Sequence, residues 1–156
     1  MARKILALAF LLGIFSPLPV FAQSNHLVRF DGGIGSQPLR AGPAVNVVLG
    51  VNPGGAPWVI SRLSADVRID GRISVDGRGL LLGGGNNIGT PGGQSVRARL
   101  FCGGVAHDSD VVPLEANGDF RIEGQLVPVP PSPCASPVLL IVSAGGNWFA
   151  AGILQQ

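Results

Sequence analysis

Side chains able to do chemistry are few in this chain, and the densest group of them is His107-Asp108-Ser109-Asp110. In an extended segment, alternation puts His107 and Ser109 on one face and Asp108 and Asp110 on the other. Two carboxylates on one face begin a calcium site, but calcium takes many more oxygen ligands than this segment supplies. Zinc needs His26 and His107 to converge with an aspartate. A solvated loop is the plainer reading, with His107, Asp108 and Asp110 kept as metal candidates. Nucleophilic catalysis needs a Ser or Cys beside a base that a third group orients, and no G-x-S-x-G surrounds any serine. The glycine run GGGNNIGTPGGQ (83–94) misses the third glycine of a dinucleotide fingerprint. A P-loop needs a lysine, and the one lysine, Lys4, stands near the N-terminus. No catalytic residue, metal or cofactor is assigned.

The binding candidates are Trp58, Trp148, Arg97 and Arg99. The tryptophans can be stacking platforms for a sugar or a protein, or else parts of a core. Arg68, Arg72, Arg78, Arg97 and Arg99 form a stripe if their strands are neighbours. Interleaved Asp66, Asp70 and Asp76 favour instead a mixed face of cross-strand pairs. The connector VPVPPSPCASP (127–137) contains a PxxP-like run, which can dock an aromatic groove or serve as a rigid spacer.

These residues sit in short alternating or apolar runs punctuated by Gly, Pro, Asn and Asp, the pattern of an antiparallel β-sandwich. His26 to Phe30 is the first expected strand, followed by the loop DGGIGSQPLRAGP. Ala44 to Val51 alternates, with Val45, Val47, Leu49 and Val51 on one face. Trp58 to Ile69 puts Leu63, Ala65, Val67 and Ile69 inward. A turn at Asp70-Gly71 leads into a strand from Arg72 to Leu82, with Ile73, Val75 and Leu81 on one side and a bulge at Asp76-Gly77. Ser95 to Cys102 alternates cleanly, with Val96, Ala98, Leu100 and Cys102 inward. Val111 to Leu114 is a further candidate, and Asn117-Gly118 turns into Asp119 to Leu126. The apolar run Val138 to Val142, a Gly145-Gly146-Asn147 turn and Trp148 to Leu154 make a terminal hairpin. No charged residue follows Glu123. Insertion of this end into a membrane is the alternative to burying the hairpin, and strand-length runs with a turn favour burial.

Export is expected from the opening segment. Arg3 and Lys4 precede the apolar run Ile5 to Phe15, which at roughly 11 residues is a signal-peptide core and short for a bilayer span. Ser16-Pro17-Leu18-Pro19 breaks it, and cleavage after Ala22 divides residues 1–22, a signal peptide, from a single domain at 23–156. Retention as an uncleaved anchor is the alternative. Of the 11 Lys+Arg, two leave with the signal, so nine cations face 9 Asp+Glu. That balance gives no basic surface for nucleic acid, and no membrane span is expected after cleavage. Cys102 and Cys134, both in the exported part, read as one disulfide in an oxidising compartment.

From about Gly92 onward the order is a strand ending in Cys102, a polar segment, NGDFRI, a connector with Cys134 and an apolar strand. This order resembles the second half of exported prealbumin-like β-sandwiches, which include the Ole e 1-like and carboxypeptidase regulatory-type domains. The stretches GRISVDGRGLLL, SVRARLFC and PCASPVLLI are also similar to small exported bacterial proteins. The resemblance implies an immunoglobulin- or prealbumin-like sandwich and carries no functional residues. The function expected is a secreted or periplasmic, non-enzymatic binding module for an extracellular protein or glycan. Two alternatives stand beside it: a metal-dependent hydrolase using His107 with Asp108 or Asp110, and a structural subunit whose uncharged C-terminal segment pairs edge to edge with a neighbour.

Overall fold

A computed structural model describes residues 24–38, 40–41 and 44–156. The expected signal segment and its cleavage point after Ala22 lie outside the described residues. The strands follow as β1 (His26–Gly35), β2 (Arg40–Ala41), β3 (Ala44–Val45), β4 (Trp58–Val59), β5 (Arg62–Arg68), β6 (Arg72–Arg78) and β7 (Leu81–Leu82). They continue as β8 (Ser95–Cys102), β9 (Val105–Asp108), β10 (Val112–Pro113), β11 (Phe120–Gln125), β12 (Val138–Ser143) and β13 (Trp148–Leu154). Among the described residues there is no helix, and so none long and apolar enough to cross a membrane.

The fold is all-β and antiparallel. Where the sequence reading expects a sandwich, the hydrogen bonding describes a curled nine-stranded sheet, ordered β10-β8-β12-β13-β1-β5-β6-β11 with β9 also paired to β8, and two two-stranded sheets, β2-β3 and β4-β7. The curl brings its two ends together at an antiparallel bridge, where Asp108 and Val127 exchange both backbone hydrogen bonds at 3.0 and 2.9 Å. Alternation decides what fills the inside. Leu63, Ala65 and Val67 of β5, Ile73 and Val75 of β6, Val96, Ala98 and Leu100 of β8, and Phe120 and Ile122 of β11 share one buried cluster. Each fully buried Leu, Ile or Val contributes about 1.5–3 kcal/mol.

A second cluster lies on the opposite face of β8, β12 and β13, where Phe101, Leu140, Val142 and Trp148 are covered by Val48 and Val51. β12 is therefore buried on both sides, which is why Val138 to Val142 is an unbroken apolar run. The terminal hairpin is buried as expected along β12 and the first half of β13, while Ile153 and Leu154 are exposed, and β13 lies between β12 and β1 rather than at an edge. The disulfide Cys102–Cys134 is formed, joining the end of β8 to the proline-rich connector.

Four expectations are corrected. Residues 44–51 are not a strand with one inward face: only Ala44–Val45 form a strand, and Val47 and Leu49 are exposed. Val48 and Val51 instead flank a tight turn in which Leu49 and Gly50 both have positive φ, and their side chains strap the second cluster. Asp76-Gly77 is regular strand, in register with both β5 and β11. β6 ends at Arg78, and Leu81 pairs with β4 instead. Ile69 lies in the turn and is exposed, because the strand has already ended at Arg68.

Candidate functional site

The cluster at 107–110 is a strand and its continuation, not a solvated loop. His107 is 3 % exposed and faces the interior, opposite Leu100 of β8. Its Nδ1 donates to the Pro128 carbonyl at 2.6 Å, while Nε2 is buried without a partner. Ser109 is also buried, and its hydroxyl accepts the Ala98 N–H at 2.9 Å and donates to the Asp110 carbonyl. That hydroxyl stands in for a main-chain group where the pairing shifts from β9 to β10.

Asp108 points outward and is taken up by arginine. Its two oxygens accept Arg99 Nε and Nη2, both at 2.7 Å, and Arg97 Nη1 lies 3.7 Å away. The bidentate bond raises the Arg99 guanidinium above its ordinary value. Arg97 also donates to the Ala144 carbonyl at 3.0 Å. His107 and Asp108 thus work on opposite sides of the sheet. Among the described residues no three His, Cys, Asp or Glu side chains are grouped to hold a metal ion.

Both tryptophans are in the interior. Trp58 stacks on Phe149 with ring centroids 4.0 Å apart. Trp148 donates from Nε1 to the Asn46 carbonyl at 3.0 Å and sits under the strap. Every aromatic side chain among the described residues is buried: Phe30, Trp58, Phe101, Phe120, Trp148 and Phe149.

Among the surfaces open to a ligand is the outer face of β1, β5, β6 and β11. Register places Arg29, Asp66, Ser74 and Glu123 in one row across the four strands, and Asp31, Ser64, Asp76 and Arg121 in the next. An open groove of about 640 Å³ is lined there by Asp66, Arg68, Arg72, Ser74, Glu123 and Gln125, over Ile73 and Gly124. A smaller depression of about 250 Å³ adjoins it and shares Asp66 and Ser74.

Much of the charge on this face is already paired. Asp66 accepts Arg29 Nε at 2.9 Å and contacts His26 Nδ1 at 2.7 Å. Asp76 holds Arg78 Nε at 2.8 Å and Arg121 Nη2 at 3.1 Å, and Asp119 holds Arg78 Nη1 at 3.0 Å. Two groove residues are different: among the described residues Arg68 and Glu123 make no ion pair, and Glu123 accepts only the Ser74 hydroxyl at 3.1 Å.

The arginine stripe thus divides by strand. Arg68, Arg72 and Arg78 share a face with Asp66, Asp70 and Asp76, whereas Arg97 and Arg99 stand apart on β8. Sequence reasoning did not single out Glu123 or Gln125, although their alternation with Phe120 and Ile122 already marks Glu123 as outward. No family model matches the chain, no curated protein matches it in sequence, and no solved structure matches it.

Proposed function

We propose that the chain is an exported, non-enzymatic binding module that holds a protein partner across the outer face of β5, β6 and β11. The observation that carries this reading is the groove in which Arg68 and Glu123 stand opposite in charge and without ion-pair partners. An arginine offers a planar fork to a carboxylate, and a glutamate accepts from cations and amides, so the pair suits the mixed charges of a polypeptide. The burial of the described aromatics leaves little ring face for the stacking that sugar recognition favours, even at Trp58 and Phe149, which line a depression beside Gln94 and Asn147. A protein is therefore preferred to a glycan. The disulfide fits work in an oxidising compartment, and the prealbumin-like resemblance belongs to the same reading.

The hydrolase alternative lacks support in the geometry, since Ser109 serves the backbone, Asp108 serves two arginines and His107 faces the interior. Edge-to-edge assembly through the C-terminal segment would need an edge that β13 does not have. The test is affinity capture from the exported fraction of the source cells, with the native protein and the double variant Arg68→Ala/Glu123→Ala. A partner held by the first and lost by the second supports the reading. Equal capture by both contradicts it.

A further inference from the structure

The two indole N–H groups of this chain stand in different conditions. Trp148 Nε1 donates to the Asn46 carbonyl at 3.0 Å. Trp58 is 3 % exposed, yet among the described residues its Nε1 has no hydrogen-bond partner. A buried tryptophan N–H usually finds an acceptor, so this one is open to an acceptor from outside. It lies beside an open depression of about 380 Å³, lined by Trp58 with Gly54, Leu82, Gln94, Ser143, Asn147 and Phe149. Gly54 keeps the N–H uncovered. A Cβ there would stand 2.7 Å from Trp58 Nε1 and 3.0 Å from Phe149 Cδ1 and Cε1. The Gly54 N–H donates to the Trp148 carbonyl at 2.9 Å, which holds the glycine beside that ring edge.

The polar groups around the depression are fixed but not used up. Asn147 Nδ2 is engaged by the Pro53 carbonyl at 3.1 Å, which leaves Oδ1 without a partner among the described residues. Gln94 is similar, with Nε2 at 3.4 Å from the Gly92 carbonyl and Oε1 unengaged. Ser143 Oγ accepts the Asn147 N–H at 3.1 Å and keeps its own proton to donate. Leu82, paired with Trp58 across β4 and β7, adds apolar wall. None of the residues lining the depression is charged.

A charged group entering here would leave water and meet no counter-ion. A neutral ligand that both accepts and donates hydrogen bonds fits instead. Trp58 and Phe149 cover each other, with centroids 4.0 Å apart and 17° between planes, and both are buried. The depression therefore meets an indole edge with its N–H rather than a stacking platform, which favours a planar amide over a sugar ring. We propose that this depression is a second binding site, which takes a main-chain amide of an uncharged peptide segment. Trp58 Nε1 donates to the peptide carbonyl, Asn147 Oδ1 and Gln94 Oε1 accept its N–H groups, and Leu82 packs against its small side chains. The site shares no residue with the groove and does not depend on it.

The experiment titrates N-acetylglycine N-methylamide, an uncharged main-chain mimic, into isotopically labelled protein and follows the two indole N–H resonances. A saturable millimolar shift is expected at Trp58 and none at Trp148, whose N–H is already bonded. Gly145→Leu should abolish the shift by filling the depression. The nearest atom to a Cβ at Gly145 is Ser143 Oγ at 3.7 Å, so the fold has room for the substitution. Gln94→Ala should weaken binding about threefold, the worth of one hydrogen bond. Arg68→Ala/Glu123→Ala should leave it unchanged, which separates this inference from the groove reading. A Trp58 resonance that never moves overturns the proposal, as do equal shifts of both indoles or a shift that survives Gly145→Leu. Tighter binding of N-acetylglucosamine than of the peptide mimic also overturns it, since that sugar carries the same amide on a hydroxylated ring.

Discussion

Asp119 shows how single side chains set the acid response of this protein. Its carboxylate accepts the Gly79 N–H at 3.0 Å and Arg78 Nη1 at 3.0 Å, and these two bonds hold it below the ordinary carboxylate value of 3.8. Arg78 and then Arg121 do the same to Asp76, and the Arg72 backbone and side chain do it to Asp70. All three values are depressed on folding, so the stability they contribute is complete above 3.8 and lost as the pH falls through the lowered values. Asp119→Asn should flatten that acid limb while leaving the neutral-pH dependence of stability untouched, as read from urea midpoints across pH. A steeper acid limb in the variant would contradict the assignment. Of the residues singled out in the sequence, the cysteines were readable because two of them have one bond to make between them. His107 was not, because polar residues in series look solvated until the strand that buries one of them is known.

At the scale of elements, alternation was a good guide wherever a strand has one wet face. Ser95–Cys102 matches its expected bounds, and the buried residues of β5 and β11 are those the period-two pattern picks out. It misled at 44–51, where an alternating run serves as a strap and both its turn residues take positive φ. It misled again at Asp76-Gly77, where the dipeptide looks like a turn signal but the glycine has another cause. A side chain at Gly77 would collide with the ring of Phe120, its register partner on β11. Gly77→Ala should therefore cost about 1–3 kcal/mol from overpacking. In a Phe120→Leu background the same substitution should cost clearly less, since residues in contact are energetically coupled. Equal costs in both backgrounds, measured by denaturant unfolding, would mean that the ring is not what the glycine accommodates. The groove was legible only in part: β5 and β6 announced a face of mixed charge, but which charges stay unpaired depends on rotamers and register that no pattern encodes.

For the whole molecule, the decisive feature is the way the sheet curls until β9 meets Val127, two residues beyond β11. A main-chain bridge, the His107–Pro128 hydrogen bond and a disulfide hold that junction. The bond closes a loop with a sequence separation of 32, and its removal by Cys102→Ala/Cys134→Ala should cost about 3–4 kcal/mol in the chain-entropy account. Amide exchange should accelerate first at Asp108 and Val127, before the interior of β5 and β6. Uniform acceleration would show that the bond acts on the unfolded chain alone. The curl also separates two surfaces, one strapped and apolar, the other ionic and open, and only the second carries the unpaired Arg68 and Glu123. The most direct test of its role is site-specific photo-cross-linking in the source cells, with the reactive group at Gln125 on the groove or at Asn86 in the glycine loop. A discrete protein adduct from position 125 and none from 86 is the predicted result. Adducts from both positions alike, or from neither, would contradict partner binding at this face.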